Sequence, residues 1–161
     1  MTEIEQSILA IRHVVQEHGD QHTELAGPIT HDGPSFFVEK FGWRWPPDYL
    51  ALLQRHDGLS VRDLTVFSFT GALEIFFVLR EHLEPHHLWP VAPDGSGNYF
   101  AIDTSRGGES VWFLEAWREY RPAPSSQPQS VAEWLKRRAT QQCVAVGCAE
   151  NRRNAAPSNS Q

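Results

Sequence analysis

Cysteine is scarce in this chain: Cys143 and Cys148 are the only two among 161 residues. Two thiols make neither a disulfide framework nor a zinc site alone, so a reduced cytoplasmic setting is expected. No run of 18 apolar residues occurs, and no transmembrane helix is expected. The opening MTEIEQSILAIRH is acidic and amphipathic. It lacks the basic start, apolar stretch and small-residue cleavage site of a signal peptide. Clustered bases are also missing from the body. Residues 1–121 carry 18 Asp+Glu against 9 Lys+Arg, a net charge of −9, while residues 122–161 carry 2 acids and 5 bases. Phosphate contacts need grouped Lys and Arg, so nucleic acid is not an expected partner. An acidic body suits a basic protein partner, and equally the plain task of staying soluble. There is no internal repeat.

What is present is core-forming material. Forty per cent of the residues are apolar, with six Trp and nine Phe. That is enough for one domain at this length, expected over 1–146, with 147–161 as a disordered polar tail. Thr2-Glu3-Ile4-Glu5 is a capping box, and Ile4, Ile8, Ile11 and Val15 recur at helical spacing. A helix is therefore expected over 3–18, ended by Gly19, with loop over 19–34. Phe36, Phe37, Lys40 and Phe41 predict a short helix stopped at Gly42. Pro46-Pro47 predicts a third helix start, with Tyr49, Leu50, Leu52 and Leu53 on its apolar face. That helix is expected to run to His56 and close at Asp57-Gly58.

After residue 61 the composition turns β-rich. Val66, Phe67 and Phe69, then Leu73–Leu79, read as extended runs separated by Gly71. Leu88–Ala92 is a further extended run. Asn98–Asp103 reads as a strand paired with Ser110–Leu114 across a Gly107-Gly108 turn. Three prolines in 121–129 argue against regular structure there. Ser130-Val131-Ala132-Glu133 is a second capping box, opening a helix with Trp134, Leu135 and Ala139. The expected class is α+β: N-terminal helices packed on a central, mainly antiparallel sheet, with a C-terminal helix.

The chemistry-bearing residues do not assemble into a site. His82 and His86 are four apart, but Pro85 breaks the helix that a shared face requires. His18 and His22 straddle Gly19-Asp20. Zinc wants three or four preorganised ligands, so no metal and no cofactor is expected. Asp94-Gly95-Ser96-Gly97-Asn98 lacks the sixth-position Gly and twelfth-position Glu of a calcium loop, and reads as a tight turn into a strand. Its Ser96 precedes a strand, so it is no nucleophile elbow, and no Lys-Ser/Thr follows to make a phosphate cradle. Acid pairs such as Asp57/Asp63 and Glu81/Glu84 fall on turns and edges, where solvated surface is the ordinary fate of carboxylates. Trp43, Trp45, Tyr49 and Phe41 read as core, whereas Trp112 and Trp117 are candidate interface anchors.

One ordered set of motifs is more specific than any of these. It runs from Phe-Val-Glu-Lys-Phe-Gly (37–42) through Trp-Pro-Pro-Asp-Tyr (45–49), Leu52-Leu53 and Asp57-Gly58. It continues with Gly-Asn-Tyr-Phe-x-Ile-Asp (97–103) and Val111-Trp112-Phe113, and finishes with Trp134-Leu135. Over residues 4–138 the set resembles the SUKH superfamily, which includes the Smi/Knr cell-wall regulators and bacterial immunity proteins of polymorphic toxin systems. The chain departs from the family pattern at Trp45, where Leu is common, at Asp57, where Asn is usual, and at Asn98, where an acid is frequent. The resemblance implies one α+β domain without catalysis. It also implies an immunity protein that occludes a cognate bacterial toxin, often a nuclease and hence basic, most simply as a monomer. The alternative it allows is a Smi/Knr-type regulatory or scaffold module; a small hydrolase using His86 and Asp103 is disfavoured. The residues expected at the partner interface, from their positions on the sheet region and its turns, are Glu74, Asp94, Tyr99, Asp103, Glu109, Trp112 and Glu115.

Overall fold

The computed structural model describes residues 1–18, 23–105, 111–123 and 127–141. Gly19, His22, the Gly107-Gly108 turn, Glu109, both cysteines and the 147–161 tail lie outside the described residues. Helix α1 (Glu3–His18) opens on the expected reciprocal cap. Thr2 Oγ1 accepts the Glu5 N–H at 3.3 Å, and the Glu5 carboxylate accepts the Thr2 N–H at 2.7 Å. These bonds satisfy two donors that a helix start otherwise leaves open. Ile4, Ile8 and Ile11 are buried along its inner stripe.

The stretch expected to be loop contains a strand, β1 (Thr23–Leu25). It pairs antiparallel with β2 (Leu59–Val61), which in turn pairs with β3 (Leu64–Val66). Nothing local marks β1; its hydrogen-bonding partner lies far along the chain. Helix α2 (Gly33–Phe41) ends at Gly42, whose φ of +67° is the left-handed cap that favours glycine. Helix α3 (Pro47–Leu53) starts at the proline pair and stops three residues before His56.

The largest departure from expectation is α4 (Phe69–Val78), a helix where extended runs were expected. Two side chains nucleate it. Ser68 Oγ accepts the Gly71 N–H at 3.0 Å, and Asp57 Oδ1 accepts the Phe69 N–H at 2.6 Å. The helix buries Phe69, Ala72 and Phe76. Such caps and one-sided burial outweigh the β-propensity of a Phe/Ile/Val/Leu run. Asp57 reaches across because Gly58 turns the chain at φ +99°. A Cβ at Gly58 would stand 2.9 Å from the Ser68 backbone nitrogen.

After α4 come α5 (Arg80–Leu83) and a 3-10 turn over Glu84–His86. The second sheet follows: β4 (Leu88–Pro93), β5 (Tyr99–Asp103), β6 (Val111–Glu115) and β7 (Arg121–Pro122), antiparallel in that order. β7 falls inside the proline-bearing stretch expected to be irregular, and Gln129 also bridges to Val111. The Phe67 N–H donates to the Val91 carbonyl at 2.8 Å, joining the end of β3 to the outer side of β4. Residues 131–141 form the final helix, α6, capped as expected by Ser130 Oγ accepting the Glu133 N–H. Buried Ser7 of α1 donates to the Ala132 carbonyl at 3.0 Å and so ties the first helix to the last. The architecture is α+β, with helices against two antiparallel sheets.

Trp89 lies at the centre of the core, fully buried, with the rings of Phe37, Trp43, Trp45, Phe69 and Phe76 around it. Its indole N–H donates to the Tyr49 hydroxyl at 3.0 Å. Burial pushes the Tyr49 phenol far above its ordinary pKa against the opposing effect of that bond, so Tyr49 stays neutral. Phe41, expected in this core, is instead 42% exposed at the last position of α2.

Candidate protein-binding surface

The β5–β6 register sorts the expected interface residues. Ala101 faces Trp112 and Tyr99 faces Leu114. Strand alternation then sets Tyr99, Asp103 and Trp112 on one face, with Glu115 on the other. That other face carries Phe100 and Phe113, and α6 covers it through Trp134, 5.5 Å from the Phe100 ring. Arg138 of α6 stacks on Phe100, 4.2 Å from its centroid. Tyr99 is held between Phe67 and Tyr120 at 6.3 and 5.9 Å. Its phenol is pushed up by partial burial and by Tyr120 and Asp94. Glu115 ends β6 opposite Arg121. Glu74 lies elsewhere, exposed on α4, and Glu109 is outside the described residues.

Asp94 has a structural task. Its Oδ1 accepts the N–H groups of Ser96 and Asn98 at 2.7 and 2.9 Å, and its Oδ2 accepts the Asn98 amide at 2.7 Å. Partial burial acts to raise its pKa, but these bonds prevail and hold it below the ordinary carboxylate value. Asn98 then accepts the Ala116 N–H at 2.9 Å, locking the turn to the end of β6. An acid at 98 would set a second carboxylate against Asp94. The amide donates to one neighbour and accepts from another, which accounts for this departure from the family pattern. Asp103 likewise accepts the backbone N–H of Ser105 at 2.9 Å.

His82 ends up against Tyr120 while His86 sits in the 3-10 turn, so the two do not share a helical face. His56 is buried: Nδ1 meets the Ala26 carbonyl at 2.7 Å and Nε2 meets the Arg12 guanidinium at 3.1 Å. A carbonyl only accepts and a guanidinium only donates, so these contacts select the tautomer with its proton on Nδ1. The ring fastens Ala26 to the residues after α3, while the Ile29 N–H donates to the Leu53 carbonyl at 2.8 Å. No group of three or more His, Cys, Asp or Glu placed to hold a metal occurs among the described residues. No helix among them is long and apolar enough to cross a membrane.

What the surface does carry is large apolar side chains in water. Trp117, in a 3-10 turn after β6, is 78% exposed, with Arg118 alongside its ring. On α2, Phe36 and Phe41 are 53% and 42% exposed; on α4, Phe77 and Val78 are 59% and 79% exposed. Of these only Trp117 was an expected anchor. The helical spacing of Phe77 and Val78 from Glu74 would have revealed the α4 pair had 69–78 been read as a helix.

A search among curated proteins finds no match to this chain. The profile of the SMI1 / KNR4 family (SUKH-1) matches residues 28–137, more than half of the chain, from the segment before α2 into α6. α2 with its Gly42 stop, α3, the Asp94–Asn98 turn, the β5–β6 pair and Trp134 all lie inside the matched region. The chain belongs to the SMI1/KNR4 (SUKH-1) family.

Proposed function

We propose that this chain is an immunity protein: it binds a cognate bacterial toxin and neutralises it by occlusion, without catalysis. Family membership joined to the bulky apolar side chains left in water supports the reading, the most exposed ring being Trp117 at 78%. Exposed aromatics on a rigid scaffold are the usual anchors of protein interfaces. The net −9 of residues 1–121 favours a basic toxin such as a nuclease, since complementary fields speed encounter. Partner contacts are assigned to Glu74, Asp94, Tyr99, Asp103, Glu109, Trp112 and Glu115, with Asp94 acting through the turn it holds. The protein works as a monomer in the cytoplasm, where the toxin would otherwise act on its own producer.

The test is co-expression with the toxin domain encoded beside this gene. Cells carrying both survive, and cells carrying the toxin alone die. Killing that continues at full strength in the presence of the folded chain rejects the reading. A lone locus without a toxin gene favours a Smi/Knr-type regulatory module instead.

A further inference from the structure

Helix α4 shows water a face that a solvent-facing helix does not need. Glu74, Phe77 and Val78 stand at i, i+3 and i+4 on α4, and Glu81 follows on α5 beyond the break at Leu79. All four are exposed. The opposite side of the same helix, Phe69, Ala72 and Phe76, is already buried. Phe77 and Val78 are therefore surplus to the core, as bulky as its members and left outside it.

A second exposed aromatic group, on α2, is joined to this face through the core. Phe36 lies 6.4 Å from Phe41, Phe41 6.0 Å from Trp43, Trp43 5.5 Å from Phe76 and Phe76 6.1 Å from Phe77. Exposed rings on two helices are thus linked through a buried aromatic floor.

Charge sets the chemistry of the occupant. Among the described residues Glu74 and Glu81 have no ion-pair partner, whereas the nearby Arg80 is committed to Glu84. In the chain the apolar pair lies between two uncompensated carboxylates, Glu74 on α4 and Glu81 at the start of α5. A second copy meeting this face isologously brings acid against acid. An anionic lipid surface is repelled. A protein segment with an apolar anchor flanked by Lys or Arg fits both features.

We infer that the Glu74–Phe77–Val78–Glu81 face of α4–α5 docks the partner protein through such a segment. This rests on the reading of the chain as a toxin-binding protein, and the experiment separates the two. The probe is the toxin domain encoded beside the gene, in catalytically inactive form, titrated calorimetrically with the wild type, with Phe77→Ser/Val78→Ser and with Glu74→Lys/Glu81→Lys.

The wild type binds. The Ser pair weakens binding by about thirtyfold or more, the loss of a buried hot spot. The Lys pair weakens binding and flattens the salt dependence of the affinity. All four residues are exposed, so both variants retain the wild-type melting profile, which circular dichroism checks. Wild-type binding that both variants match overturns the docking face and leaves the toxin reading intact. A wild type that does not bind overturns both. A wild-type dimer in sedimentation that the Ser pair converts to monomer assigns the face to a second copy and overturns the inference.

Discussion

At the residue scale, the strongest constraints are polar groups with one partner and no alternative. The Tyr49 hydroxyl is the partner of the Trp89 indole N–H inside a fully buried aromatic core. Tyr49→Phe keeps the ring and strands that donor. It is expected to cost about 1–3 kcal/mol, the penalty of a buried unsatisfied group, read as a lower urea midpoint at unchanged slope. Asp94 makes a pH prediction. Its folded pKa lies below the ordinary 3.8, so its contribution is complete above that value and disappears as pH falls through the folded one. Asp94→Ala therefore lowers the melting temperature at pH 7, and the gap to wild type closes in acid below the carboxylate range. A gap that is unchanged at low pH would show that the carboxylate's charge does not hold the turn. Neither role was readable from residue type alone. The sequence marked Asp94–Asn98 as a turn, but the Asn98 bond to Ala116 joins positions 18 apart.

At the element scale, legibility followed the range of the interactions that decide each element. α1, α2 and the start of α3 are announced by capping residues, prolines and a terminal glycine within a few positions of the helix itself, and each was expected. The β5–β6 pair was legible for the same reason, being two neighbouring runs in one hairpin. α4 was not. Its Phe/Leu/Ile/Val content favours strands, and one of the two groups that cap it, Asp57, is 12 residues upstream. β1 escaped notice because a three-residue strand has no pattern apart from its partner. The error over α4 carried a second one with it. Read as a strand, 73–79 alternates faces, and the joint exposure of Phe77 and Val78 disappears from view. The capping argument is tested by Ser68→Ala, expected to destabilise by about 1 kcal/mol in denaturant unfolding. Ser68→Asp, which restores an acceptor at the helix start, recovers most of that loss.

At the scale of the whole molecule, class and family were legible. The ordered motif set predicted an α+β chain, and its members turn out to be mostly framework: helix stops, core rings and a locked turn. Such residues identify a family because the fold cannot be built without them, and for that reason they say little about what is bound. The surface proposed to choose a partner lies between them, on Glu74, Phe77 and Val78 and on Trp117. The borders of the second sheet carry a different consequence. On one side β4 is bonded to the chain at Phe67; on the other β7 is two residues long and includes Pro122, which has no N–H to offer. A protein that keeps greasy side chains in water for a partner runs a constant risk of polymerising with its own kind. Among the described residues neither margin of this sheet presents a long open ladder onto which another molecule's strand can zip, so its stickiness is left to side chains, where charge can police it.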